Sequence, residues 1–157
     1  MSSAFDWPLL ADTMARLLGA FALALPIGWE RQQASRSAGL RTFPIVAAAS
    51  SAYVLVGSSF SGEDIEAQSR IIQGLMTGIG FVGGGAILKS RGRVHGTATA
   101  ASVWMTGALG AAAGYGRWEM AVAISALTFG ALRGLTLIEQ RGRPRPSRPE
   151  LEGGDGS

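Results

Sequence analysis

The stretch Arg70-Ile71-Ile72-Gln73-Gly74-Leu75-Met76-Thr77-Gly78-Ile79-Gly80-Phe81-Val82-Gly83-Gly84-Gly85-Ala86-Ile87-Leu88-Lys89 decides the fold. No charge interrupts it between its basic ends, and its length approaches the ~20 apolar residues that carry a helix across a hydrocarbon core of about 30 Å. Stepped at the helical period, Arg70, Gln73, Gly74, Thr77, Gly78, Gly80, Gly84 and Gly85 share one side. Ile72, Leu75, Met76, Ile79, Val82 and Ala86 share the other. Gly74/Gly78 and Gly80/Gly84 are small-xxx-small pairs, the spacing that lets two helix backbones approach closely. The glycine side is therefore expected to pack against another helix within a bundle, and the bulky side to face lipid. A second reading of Gly83-Gly84-Gly85, a helix break that exposes backbone groups to an ion, stays open. A nucleotide-binding glycine loop is excluded, because no strand-turn-helix context surrounds it.

Four further segments of the same kind flank this one, which itself runs from Ile71 to Leu88: Leu9 to Trp29, Phe43 to Phe60, Thr97 to Tyr115 and Trp118 to Ile138. The whole chain is 47% hydrophobic and 16% charged with 23 glycines in 157 residues, a mixture that suits lipid as solvent. Pro8 and Pro44 fit first helical turns, whereas Pro26 falls inside a segment and is expected to kink it. The connections alternate in charge. Arg31, Arg36 and Arg41 follow the first segment, Lys89, Arg91 and Arg93 the third, and Arg141, Arg143, Arg145 and Arg148 the fifth; the second is followed by Glu63, Asp64 and Glu66. Basic connections mark the cytoplasmic side, so the N-terminus is expected outside and the C-terminus in the cytoplasm. The fold expected is all-α: a polytopic membrane helix bundle of about five transmembrane helices.

Several chemistries drop out. Without cysteine there is no disulfide framework or thiolate site, and the single histidine, His95, allows no multi-histidine metal centre. No metal and no cofactor is expected. The net charge of +3 sits in short runs between apolar segments, a topology signal that gives no reason to expect nucleic acid. No basic region precedes the first segment, so no cleaved signal peptide is expected. Residues 1–138 read as one membrane domain and 139–157 as a disordered basic tail, since Arg, Pro and Gly there bury too little to fold.

Ionisable residues within membrane segments are costly and are functional candidates. Arg16 stands near the outer end of the first segment with Asp12 four residues before it as a partner, and Glu30 and Arg31 stand near the inner end. Glu30, Arg31 and Arg41 are expected to form one polar cluster there. In the fourth segment Thr99, Ser102, Thr106 and Gly110 form a stripe whose hydroxyls are expected to act as packing glue.

Four runs carry a resemblance: Gly28-Trp29-Glu30-Arg31, Ala38-Gly39-Leu40-Arg41-Thr42, Gly78 to Gly85, and Val94-His95-Gly96-Thr97-Ala98-Thr99-Ala100-Ala101-Ser102-Val103-Trp104. Their order and spacing resemble the successive signatures of the MgtC/SapB membrane domain, over about Leu9 to Leu135. The resemblance implies a five-helix domain of the bacterial inner membrane, linked to magnesium limitation, acid tolerance and survival in hosts. It also implies contact with other membrane proteins, among them the ATP synthase or a transport ATPase. The sequence departs from that pattern at Thr97 and Ala98, where the family has Leu and then Thr or Asn, and in lacking the soluble C-terminal domain of many relatives.

The functional candidates are thus Arg16, Glu30, Arg31, Arg41, Thr42, Arg70, His95 and Thr99, with Gly74, Gly78, Gly80, Gly84, Gly85 and Gly110 as helix-packing positions. No nucleophile-base pair is visible, which disfavours an enzyme. The expected function is regulation by helix-helix contact in the membrane, with lipids, other membrane proteins and further copies of the chain as partners. The alternative is a subunit of an oligomeric, Mg2+-linked transporter or channel.

Overall fold

The computed structural model of the chain describes residues 5–34, 38–62, 64–90 and 93–142 and is built on five helices. They are α1 (Trp7–Ala34), α2 (Thr42–Ser61), α3 (Ile65–Gly85), α4 (Thr97–Gly114) and α5 (Trp118–Gly142). Side-chain carboxylates start two of them. Asp6 Oδ1 accepts the Leu9 N–H at 3.0 Å, and Asp64 Oδ1 accepts the Glu66 and Ala67 N–H groups at 2.9 and 3.2 Å, so first-turn donors are satisfied. α1 is longer than its apolar segment: it runs through Pro26 and on to Ala34, carrying Glu30 and Arg31 on its last turns. At 1.5 Å per residue its 28 residues reach about 42 Å, more than a hydrocarbon core of roughly 30 Å. Among the described residues, α1 and α2 are the two helices long and apolar enough, by length and composition, to cross a membrane. Charged residues such as Glu66 and Arg70 in α3 and Glu119 and Arg133 in α5, and Gly, Ser and Thr in α4, lower the hydropathy of the others.

α5 continues to Gly142, so residues 139–142 are helical, and the rest of the expected tail, 143–157, lies outside the described residues. An unanticipated antiparallel hairpin joins α3 to α4, with β1 (Leu88–Ser90) paired to β2 (Arg93–His95) in the register Leu88 to His95 and Lys89 to Val94. Gly96 turns the chain from that hairpin into α4 at φ 89°, and any Cβ there would run into the Ala86 carbonyl.

α4 is the central helix, touching all four others, with Thr99, Val103, Thr106, Leu109 and Ala113 almost wholly buried. Two of its glycines admit α2. A Cβ on Gly110 would stand 2.7 Å from Ser50 Cβ, and one on Gly114 2.8 Å from Val54 Cβ. The hydroxyls of Ser102 and Thr106 bond to the carbonyls of Ala98 and Ser102 on their own helix, so of the stripe's hydroxyls Thr99 is the one engaged from another helix. α5 is tied to α1 where Ser125 Oγ donates to the Leu23 carbonyl at 2.7 Å.

α3 is turned about its axis relative to expectation. Ile79 and Gly83 are buried and Leu75 packs on the core, whereas Gly74, Gly78, Gly80, Gly84 and Gly85 face outward with nothing within 4 Å of where a Cβ would lie. The physical reason lies on the partner helix: Gly107 of α4 is the slot that the Ile79 side chain fills, and on α3 itself Gly83 faces α4, where a Cβ would stand 3.3 Å from the Ala100 carbonyl oxygen. A small residue is needed on only one side of such a contact, and here α4 supplies it. The triple glycine ends α3 at Gly85 and does not interrupt it.

Candidate functional site

The functional candidates gather where α1 ends, α2 begins and α4 begins. Gly28 lacks a side chain where the connection passes: a Cβ there would stand 3.2 Å from Leu40 Cα. Gln32 Oε1 accepts the Leu40 N–H at 3.0 Å, and the Gly39 carbonyl accepts the N–H groups of Thr42 and Phe43 at 2.9 and 3.2 Å. These bonds fix the entry of α2 against the last turns of α1.

Two ionisable side chains then turn inward from α1. Glu30 is 7% exposed, and its Oε2 lies 2.9 Å from Arg133 Nη1 on α5, whose side chain remains 57% exposed. Arg31 is 9% exposed; its Nη2 donates to Thr99 Oγ1 on α4 at 2.9 Å, and its Nε has no partner. Burying a charge is tolerated where it is paired and hydrogen-bonded. Glu30 meets that condition through a cation, whereas Arg31 meets it only in part, through a neutral hydroxyl. The pair acts as a latch, joining α1 to α5 through one residue and to α4 through the next.

The four signature runs converge here. The first meets the second at Gly28 and Gln32, the first meets the fourth through Arg31 and Thr99, and the third meets the fourth where Gly83 touches Ala100. The expected cluster of Glu30, Arg31 and Arg41 is not what forms: the first two take Arg133 and Thr99, and Arg41 stands exposed at the N-cap of α2 with no side-chain cap bond. Thr42 opens α2, half-buried, and His95 is exposed on the hairpin. Arg70 is exposed on α3 and paired with Glu66 at 2.9 Å. Arg16 works at the opposite end of α1, where Nε meets Asp12 at 2.9 Å and Nη1 donates to the Gly114 carbonyl at 2.9 Å. A cation there completes the C-terminus of α4. Gly110 lies between α4 and α2, as described. Arg133 was missed, although an ionisable residue inside the fifth apolar segment was itself the signal.

Five packed helices, two of them long and apolar enough to cross a membrane, joined by glycine contacts and an inward-facing ionic latch, define an all-α helical bundle. The chain belongs to the MgtC family: the model of that family matches residues 17–141. Protein SrpB of Synechococcus elongatus is 38% identical over 137 residues, covering 80% of this chain and 75% of that protein. Protein MgtC of Brucella abortus is 42% identical over 110 residues, 70% of this chain but 45% of its own length. YhiD of Escherichia coli K12, by its name a candidate magnesium transporter, is 33% identical over 128 residues, covering 77% of this chain and 59% of that protein. No solved structure matches the chain.

Proposed function

We propose that the chain is a multi-pass protein of the bacterial inner membrane, with five spans and the N-terminus outside, that acts by helix-to-helix contact with other membrane proteins. The setting is adaptation to magnesium limitation or acid stress, and the partner class includes the ATP synthase and transport ATPases. One observation carries this reading: the outward face of α3. Its five open glycines, from Gly74 to Gly85, leave backbone bare over more than half of the helix around the exposed Phe81 side chain, and Gln73 on the same face has a side-chain carboxamide with no hydrogen bond among the described residues. A surface of that kind gains by meeting a second helix, through backbone approach and through an interhelical bond to the amide. A pore wall wants a row of polar side chains, and beside Arg70, which is paired with Glu66, this face offers Gln73 and Thr77, the latter already bonded to the Gln73 carbonyl.

The second reading, a subunit of an oligomeric Mg2+-linked transporter or channel, draws its support from the name given to the YhiD relative. Purification of the tagged chain from membranes of magnesium-limited cells, wild type beside Gly78→Leu, separates the two. A partner present with wild type and lost with the variant supports contact through α3; the same proteins with both contradicts it.

A further inference from the structure

The start of α4 carries an unfilled demand for negative charge. Its N-cap is Gly96, which offers no side-chain acceptor, and the first backbone bond of the helix runs from the Ala100 N–H to the Gly96 carbonyl. The N–H groups of Thr97, Ala98 and Thr99 therefore have no acceptor among the described residues, and Thr97 and Ala98 are exposed. A helix N-terminus left in this state is the positive end of the helix dipole.

A second, independent feature points to the same spot. The Arg31 guanidinium, nine-tenths buried, reaches Thr99 in this first turn, and its Nε stands unpartnered on the same edge as the Nη2 that Thr99 engages. The carboxylate next to it in sequence, Glu30, is paired with Arg133. A cation against the positive end of a helix, with a hydroxyl as its one hydrogen-bond partner among the described residues and its neighbour Glu30 shared with Arg133, is an arrangement that an anion completes.

We propose that the first turn of α4 and Arg31 together form a binding site for a phosphate-type oxyanion. The N–H groups of Thr97 and Ala98 take oxygens on the open side, and the Arg31 edge supplies the charge from beneath. Phosphate fits better than chloride because several donors at different angles call for several oxygens. Two sources share this chemistry, the headgroup phosphate of an anionic lipid and phosphate free in solution.

The full chain in bicelles tests this through the backbone amide resonances of Thr97 and Ala98. Inorganic phosphate is titrated into neutral phosphatidylcholine bicelles, and phosphatidylglycerol is doped into phosphate-free ones, with sodium chloride at matched ionic strength as the control. A saturable shift at those amides with either phosphate source, absent with chloride, supports the site; a response to phosphatidylglycerol alone assigns it to lipid, and one to inorganic phosphate assigns it to a soluble anion. Arg31→Lys should weaken the response on the order of tenfold, because the planar fork is lost while the charge stays. Should that variant fail to fold, Ala98→Asp decides the matter: it places a carboxylate on the exposed first turn, and it should raise the unfolding midpoint and abolish the phosphate response. No shift from either source, an equal shift with chloride, or an Ala98→Asp chain that still responds to phosphate overturns the proposal.

Discussion

Replacing Thr99 by valine removes one oxygen from the middle of the molecule and almost no volume. Thr99 is fully buried and is the only hydrogen-bond partner of Arg31 among the described residues, at 2.9 Å from Nη2. A hydrogen bond to a charged group contributes about 1.5–3 kcal/mol, and a buried donor left without its acceptor keeps the full desolvation penalty. The methyl that replaces the hydroxyl recovers little of this, because its surroundings are already packed. The expected loss is about 2 kcal/mol, a factor of roughly thirty in the folded-to-unfolded ratio. The assay is reversible unfolding of the chain in bicelles by a graded detergent titration, followed by far-ultraviolet circular dichroism. Thr97→Val, on the exposed first residue of the same helix, is the control and should stay within about 0.5 kcal/mol of wild type. A Thr99→Val midpoint indistinguishable from that of the control would refute the claim that Arg31 depends on this bond.

The remaining predictions use the same measurement. Glu30→Ala and Arg133→Ala should couple in a double-mutant cycle by about 1 kcal/mol, kept modest because Arg133 is half exposed to solvent, while Glu66→Ala with Arg70→Ala should couple by less than about 0.5 kcal/mol. Equal couplings would mean that burial of Glu30 adds nothing. Gly110→Ala should destabilise by about 1–3 kcal/mol, since its Cβ meets the Ala47 carbonyl and Ser50 on α2. Gly130→Ala should stabilise by about 0.4–1 kcal/mol, because that helical position on α5 has open space around it; a loss there would contradict the packing described. Reporter fusions should place the Lys89 to His95 hairpin in the cytoplasm, and a periplasmic location would overturn the orientation drawn from the basic connections.

Much of the helical framework was readable because its punctuation is local. Apolar length, Pro44 at the start of α2 and the charged connections mark helix ends without knowledge of any neighbour. The rotation of α3 was not readable from α3. Its glycine side and its bulky side are each compatible with packing, and the choice rests on Gly107, a residue of α4 that accepts Ile79. A helix wheel contains no information about the slot on another helix. The latch was half visible for a similar reason: Glu30 and Arg31 announce themselves as charges at a membrane boundary, but Arg133 and Thr99 lie 103 and 68 residues away in sequence. Arg41, nearer in sequence, was the natural guess for a partner and is left at the surface. The hairpin of β1 and β2 escaped notice because strands of three residues are too short for an alternating pattern to register.

The account turns on the outward face of α3 as the working surface, and Gly78→Leu isolates that face from the fold. Nothing lies within 4 Å of a Cβ at Gly78, so the single chain accommodates the larger side chain and loses only the ability to let a second helix approach. The decisive measurement is growth under magnesium limitation of cells deleted for the chain and supplied with Gly78→Leu, with membrane abundance and unfolding midpoint recorded alongside. The account predicts wild-type abundance and a midpoint at or above that of wild type, with growth reduced to that of the deletion; full growth with the variant would contradict it.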